Sequence, residues 1–343
     1  MTKLTKHRLF WPLVVLAILL LINVMFTPDF FSIRMQNGHL YGSLIDILHF
    51  GAPLILVALG MTLVIATKGI DLSVGSIVAI TGAVACLDIS RSADQNSVVV
   101  VLAAVGIALL LSIVLGVWNG FLVAGVGIQP IIATLILMVA GRGIAQLVTS
   151  GQILTISSSP YKLIGGGYWL TLPFSILIVA VLFAATVLLT RKTALGLFIE
   201  AVGCNPSASR LAGIRSKLMI SLVYVVCALF AGVAGLMLTS NVSSADGNNA
   251  GLWIELDAIL AVVIGGTALT GGRFYLSGTL VGALIIQTLT TTIYTVGVPP
   301  EITLVVKAFV VMAVCLIQSP AFRERLVKRK SSRQQSSRKG VAA

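Results

Sequence analysis

At 343 residues, 57% hydrophobic, 10% charged and with a mean hydropathy of +1.06, the chain cannot be an ordinary soluble domain, in which about a quarter of residues are charged. Its net charge of +12 does not point to nucleic acid either, because the basic residues fall in turns and in a C-terminal tail rather than on one folded face. Cys86, Cys204, Cys227 and Cys315 stand singly, without metal-ligand or disulfide spacing, and read as small packing residues.

In chain order, Lys3, Lys6 and Arg8 precede the apolar run Leu9–Phe26. That run is longer than a signal-peptide core and no A-x-A site follows, so an uncleaved first span is expected. Further spans are expected at Leu44–Thr67, Leu72–Leu87, Val98–Trp118, Pro130–Thr149, Pro173–Leu189, Leu218–Leu238, Ile254–Leu269, Leu276–Val296 and Pro300–Ile317. The expectation is an all-α, polytopic bundle of ten spans over residues 1–317, with a basic, serine-rich and disordered tail at 318–343 lying near anionic lipid. With the N-terminus inside, 18 of the 23 Lys and Arg residues fall on the cytoplasmic side and only Arg34, Arg91 and Lys162 outside. The positive-inside rule asks for such a split, and it places both termini in the cytoplasm. Arg142 and Lys307 fall within spans.

Two stretches interrupt the apolar pattern with charge and glycine. The first is Lys68-Gly-Ile-Asp-Leu-Ser-Val-Gly-Ser76; the second is Trp253-Ile-Glu-Leu-Asp257, running into Gly265-Gly-Thr-Ala-Leu-Thr-Gly-Gly-Arg273. Broken backbone of this kind is tolerated in a membrane only where it is buried in protein or lines a wet cavity. Gly127-Ile-Gln-Pro130 and Gly297-Val-Pro-Pro300 follow at corresponding places, which hints at an inverted repeat of spans two to five and seven to ten.

Several polar residues in these regions are candidates for a solute pathway: Asp71, Ser73, Asn119, Gln129, Thr134, Arg142, Asp257, Gln287 and Thr291. Asp71 and Asp257 also suit helix N-termini, where a carboxylate caps and complements the macrodipole. Arg142 in mid-span must be paired or face water, and Lys307 raises the same question. Gln287, Thr288, Thr291, Thr292 and Thr295 recur at three- and four-residue spacing, as one polar helical face or as threonines bonded back to their own helix. Gly116-x-x-x-Gly120 and Gly278-x-x-x-Gly282 let helices pack closely.

The largest polar interval that reads as folded is Thr190–Lys217. Asn205 is placed as an N-cap, Pro206 as the first helical residue and Gly213 as the stop, giving a helix of about two turns. Ala194–Val202, ending at Gly203, reads as a second short helix or an extension of the preceding span. A basic helical hairpin on a membrane surface is either a docking element or an ordinary ordered loop.

The chain carries no G-x-x-x-x-G-K-[ST] loop, so it does not hydrolyse nucleotide by the P-loop route, and it carries no HExxH or G-x-S-x-G motif. His7, His39 and His49 do not cluster. A pore or carrier energised from elsewhere fits these absences. An ion-coupled secondary transporter and a passive channel remain alternatives.

Four motif groups, in order over about Leu44 to Ile317, then carry a family resemblance. They are Gly69-Ile-Asp-Leu-Ser-Val-Gly-Ser76; Ala133-Thr-Leu135 with Arg142-Gly143; Ala201-x-Gly-x-Asn205 with Ser209-Arg-Leu-x-Gly-Ile214; and Glu255-Leu-Asp-Ala-Ile259 through Gly265-Gly-Thr-x-Leu-x-Gly-Gly272. The chain resembles the ribose-type permeases of bacterial ABC sugar importers. That resemblance implies an inner-membrane permease that is not itself an enzyme and binds no cofactor or metal. It also implies alternating access, a monosaccharide cargo with galactofuranose the expected sugar, and three partners. These are a second, related permease chain, a cytoplasmic ATPase carrying ATP and Mg, and a periplasmic sugar-binding protein docking on loops such as Gly151–Leu172 and Val242–Trp253. Thr190–Lys217 becomes the coupling segment, with Glu200, Gly203, Asn205, Ala208, Arg210 and Gly213 as its contact residues. One position departs from the family pattern: Leu197 stands where a basic residue commonly follows the glycine at 196.

Overall fold

The computed structural model describes residues 9–297 apart from 27, 28 and 37, together with 302, 304, 305, 307–309 and 312. The basic residues before position 9, Cys315, the tail at 318–343 and most of the expected span Pro300–Ile317 lie outside the described residues. In order, α1 (Phe10–Phe26) leads to a small hairpin of β1 (Arg34–Gln36) and β2 (His39–Tyr41), then α2 (Ser43–Ala66), α3 (Val74–Arg91) and α4 (Val98–Gly120). A π-helical turn, Phe121–Val126, extends α4 and stops at Gly127, whose φ of 87° suits glycine. α5 (Pro130–Val148), β3 (Ile153–Thr155), α6 (Ser159–Gly166), β4 (Tyr168–Trp169), β5 (Leu172–Pro173) and α7 (Phe174–Lys192) follow. The second half holds α8 (Ala194–Cys204), α9 (Pro206–Leu211), α10 (Ser216–Val242), β6 (Ser244–Asp246), α11 (Ile254–Ile264) and α12 (Leu276–Thr295).

Among the described residues, seven helices are long and apolar enough to cross a membrane: α2, α3, α4 with its π-helical extension, α5, α7, α10 and α12. The expected first span appears as α1, an apolar helix of 17 residues. The expected span Ile254–Leu269 needs correction. α11 has only 11 residues, about 16 Å, because Gly265 and Gly266 end it, the latter at a φ of 88°.

α2 is apolar on every side and sits at the centre, as a helix without a polar face must. α10 crosses it so closely that a Cβ on Gly60 would lie 2.7 Å from Cys227 Cα. Both expected glycine pairs mark close crossings. Gly116 and Gly120 of α4 meet Val225 and Ser221 of α10, while Gly278 and Gly282 of α12 meet the carbonyls of Gly265 and Ala261 beside α11. α4, α5 and α7 turn large apolar side chains such as Leu102, Val139 and Leu188 outward, the surface that lipid or a membrane partner covers.

Neither α3 nor α11 begins at an end of the bundle. Val78, one turn into α3, packs on Gly235 well inside α10, and Gly75 packs on Gly251 and Glu255. α3 runs from that level toward the end formed by the antiparallel β3–β6 ribbon, where Cys86 and Ile89 pack with Ile156 and Ala245. α11 runs the other way, toward the end where Gly271 and Gly272 approach Ala66, Lys68 and Cys204. The two helices therefore start side by side inside the protein and diverge.

A Cβ at Gly282 would stand 2.0 Å from the Ala261 carbonyl. Gly282→Val is therefore expected to cost about 1–3 kcal/mol through overpacking. A lowered Tm in detergent checks this; an unchanged one contradicts the close α11–α12 crossing.

Candidate functional site

Three places in the bundle hold the residues of interest. The first is the α8–α9 hairpin. Thr193 caps α8, its hydroxyl accepting from Leu195 N–H at 3.2 Å. Asn205 caps α9 as expected, its Oδ1 accepting from the N–H groups of Ser207 (3.0 Å) and Ala208 (3.1 Å) with Pro206 next in line. Gly213, at a φ of 87°, ends the turn through Gly213 N–H to Arg210 O (3.0 Å) and Ile214 N–H to Ser209 O (2.9 Å).

This hairpin is seated rather than pendant. A Cβ on Gly203 would fall 1.8 Å from Ala66 O and 2.7 Å from Gly272 N, so only glycine fits between the end of α2 and the α11–α12 linker. Gly272 N–H donates to Ala66 O at 2.8 Å, and Lys68 Nζ donates to Cys204 O at 2.9 Å. Arg191 ties in the end of α7: it donates to Phe274 O (2.9 Å), lies over the Phe274 ring and faces Glu200 at 3.8 Å. The opposite side of the hairpin is open. Ala208 and Arg210 are exposed, as are Leu197 (68%) and Leu211 (92%). A further cavity of about 340 Å³ opens beside it, lined by Phe198, Gly213, Ile214 and Arg215.

The second place gathers Asp71, Ser73, Asn119 and Thr134, all buried. Asp71 Oδ1 accepts from Ser73 N–H (2.9 Å) and Ser73 Oγ (2.6 Å), while Asn119 Nδ2 donates to Ser73 Oγ (2.8 Å). Thr134 Oγ1 accepts from Leu72 N–H (3.1 Å) and donates toward Pro130 O or Ile70 O. These bonds hold the irregular stretch at 67–73, so the backbone break is buried in protein as a membrane requires. Asp71 begins this turn but Ser73 is the residue at the N-cap of α3. Asp71 Oδ2, Asn119 Oδ1 and Tyr224 OH are buried without a hydrogen-bond partner among the described residues.

The third place is a cavity of about 390 Å³ between α3, α5 and the start of α11, with Ser76, Arg142, Gln146, Trp253 and Glu255 in its wall. Arg142 is half-buried and its Nη1 donates to Ala250 O at 2.6 Å, with Gly247 O at 3.4 Å. The mid-span guanidinium is thus satisfied on one side by the carbonyls of the loop before α11. In that same loop, burial works to raise the Asp246 carboxyl, yet bonds from the Asn249 side chain and the N–H groups of Asn248 and Asn249 hold it below the ordinary value.

The remaining predicted residues do not join these places. Gln129 is exposed at the start of α5 and caps nothing with its side chain. Gln287 packs on Gly51 of α2. Two members of the polar stripe on α12, Thr292 and Thr295, donate to the carbonyls of Thr288 and Thr291 four residues earlier. Thr292 also accepts from Asn23 of α1 at 2.7 Å, so this face joins helices. Asp257 is ion-paired with Lys307, both largely buried, rather than acting as a helix cap. Gln146 was not among the predicted residues. The available signal was its place one turn after Arg142 on the same face of α5.

The family described as branched-chain amino acid transport system / permease component matches residues 43–315. The galactofuranose transporter permease protein of Escherichia coli strain K12 is 49% identical over 326 residues, covering 94% of each chain. The fructose import permease protein of Bifidobacterium longum strain NCC 2705 is 42% identical over 324 residues, 93% of this chain and 89% of the relative. The ribose import permease protein of Escherichia coli strain K12 is 37% identical over 311 residues, 90% and 92% of the two chains. No solved structure matches the chain.

Removing one partner of a buried ion pair strands the other charge, whereas removing both does not. Asp257→Ala is expected to destabilise by about 3 kcal/mol and Asp257→Ala with Lys307→Met to recover most of the loss, read as Tm in detergent. Equal losses in the single and double variants contradict the pairing.

Proposed function

The chain belongs to the ABC importer permease family, whose members are membrane subunits that leave ATP hydrolysis to a separate subunit, and on that premise we propose that it admits a monosaccharide, galactofuranose, by alternating access. The 49% identity to the galactofuranose permease, over nearly the whole of both chains, supports the choice of sugar. In this reading the chain pairs with a second, related permease subunit in the inner membrane, N- and C-termini inside. The count of ten membrane segments, with α11 shorter than a full span, and the inverted repeat of the second to fifth and seventh to tenth belong to the same proposal. The domain limits, 1–317 for the permease and 318–343 for the tail, do too.

The observation that carries the reading is the seat of the α8–α9 hairpin. Its inner side is locked against Ala66 and Gly272, and its outer side leaves Leu197, Ala208, Arg210 and Leu211 free for an ATPase groove. A push on that outer face is passed by backbone contact to α2 and to the linker leading into α12. Glu200, Gly203, Asn205, Ala208, Arg210 and Gly213 are assigned to this coupling: Glu200, Gly203, Asn205 and Gly213 shape the element, while Ala208 and Arg210 face the partner. The paired β3 and β6 strands bring the loops at 151–172 and 242–253 together as the docking surface for a periplasmic sugar-binding protein.

The test uses the reconstituted complex of this chain, its second permease, the ATPase and the receptor. Labelled galactofuranose is expected to accumulate only with ATP, and labelled ribose not to accumulate. Accumulation driven by an ion gradient without the ATPase overturns the reading in favour of a secondary transporter. In the same complex, Gly203→Val is expected to lower ATP-driven uptake at least about tenfold, because the displaced hairpin no longer meets both partners. Wild-type uptake by that variant contradicts the coupling role.

A further inference from the structure

The cavity of about 390 Å³ lies where two helices start inside the bundle and run apart. Gly75 of α3 is in contact with Glu255 and with Gly251 O at the start of α11, so the two N-termini are neighbours. Paired helix starts at mid-depth place two positive dipole ends near one point, an arrangement that suits solute oxygens. The start of α11 receives no side-chain cap.

Two further observations point to a ligand. Glu255 is only 4% exposed, lines the cavity, and its Oε2 has no hydrogen-bond partner among the described residues. A buried carboxylate oxygen without a donor is costly; this one is closed off beside Gly75, so a solute hydroxyl satisfies it once the side chain turns toward the cavity. Trp253 stands at a φ of +65°, a conformation that favours glycine, and this strained backbone holds a 46% exposed indole in the cavity wall. Arg142 spends Nη1 on Ala250 O, and no bond to its Nη2 or Nε occurs among the described residues. Gln146, one turn further on, brings an amide donor and an amide acceptor.

We propose that this cavity is the contact site at which a neutral monosaccharide pauses during passage, with Trp253 stacking on the ring, Arg142 and Gln146 donating to its oxygens, and Glu255 accepting from a hydroxyl. A carboxylate, a guanidinium, an amide and an indole around one small volume form a mixed donor and acceptor set, which matches a polyhydroxylated ring better than an ion. The residues do not close around it, so the site is weak and releases its cargo. The proposal rests on the transport reading above.

The test uses the complete reconstituted complex and measures two rates: uptake of labelled galactofuranose and receptor-stimulated ATP hydrolysis. Gln146→Ala is expected to lower uptake about tenfold with hydrolysis kept within about twofold of wild type, and Trp253→Ala to lower uptake by a similar factor, with Trp253→Phe recovering most of it. Wild-type uptake in both alanine variants, or a parallel fall of uptake and hydrolysis in Gln146→Ala, overturns the site. A second readout does not depend on those variants: Gln146→Cys in a Cys204→Ser, Cys315→Ser background, labelled with a methanethiosulfonate reagent. Sugar-loaded receptor with ATP is expected to slow that labelling, and an unchanged rate overturns the site. If the wild-type complex fails to take up sugar with ATP, the transport reading itself falls. Failure of the variants alone removes only the cavity assignment.

Discussion

The structure depends on a place where three backbones meet with no side chain between them. Gly203 lies against the Ala66 carbonyl and the Gly272 N–H, which are themselves hydrogen-bonded at 2.8 Å. A methyl group would not fit, and Lys68 and Arg191 close the joint by donating to Cys204 O and Phe274 O. Contacts between backbones are stiff because no rotamer change can absorb a displacement, so a force on α8–α9 has little else to move than α2 and the α11–α12 linker. In the proposed function, this joint is where work from a separate ATPase enters the membrane subunit.

Depth within the bundle explains the rest. α2 and α10 form a tightly crossed pair, and around them α3 and α11 begin part-way through the protein instead of at its ends. Each break costs unpaired backbone groups, and the molecule meets that cost in two ways. Around 67–73 side-chain bonds from Asp71, Ser73, Asn119 and Thr134 hold a buried turn. Around 247–255 Arg142 satisfies the carbonyls on one side and leaves a cavity on the other. One break serves as a brace and the other as an opening.

Much of this was legible in the sequence because it rests on local chemistry. Asn205-Pro206 and Gly213 announce the cap, start and stop of α9 through rules that involve only a few neighbouring residues, and the structure keeps all three. Gly116, Gly120, Gly278 and Gly282 announce close crossings for the same reason. What was not legible depends on partners far along the chain. Nothing near Asp257 indicates that Lys307, fifty residues on, neutralises it, and nothing near Gly203 names Ala66 or Gly272 as its neighbours. The stripe holding Gln287 and Thr291 reads as a pathway or as a helix-joining face, and only the positions of α1 against Thr292 and of α2 against Gln287 favour the second. The early end of α11 was hidden because Ala268 and Leu269 continue the apolar run past the glycines that stop it.

The central claim is that this chain is a gate whose inner hairpin is pressed by a separate motor. A photo-cross-linking amino acid at Ala208, in the intact complex within membranes, examines that contact directly. The account predicts capture of the nucleotide-binding subunit, with a yield that changes when a non-hydrolysable ATP analogue closes it. Capture of lipid alone, with no nucleotide-binding subunit under either condition, would contradict it.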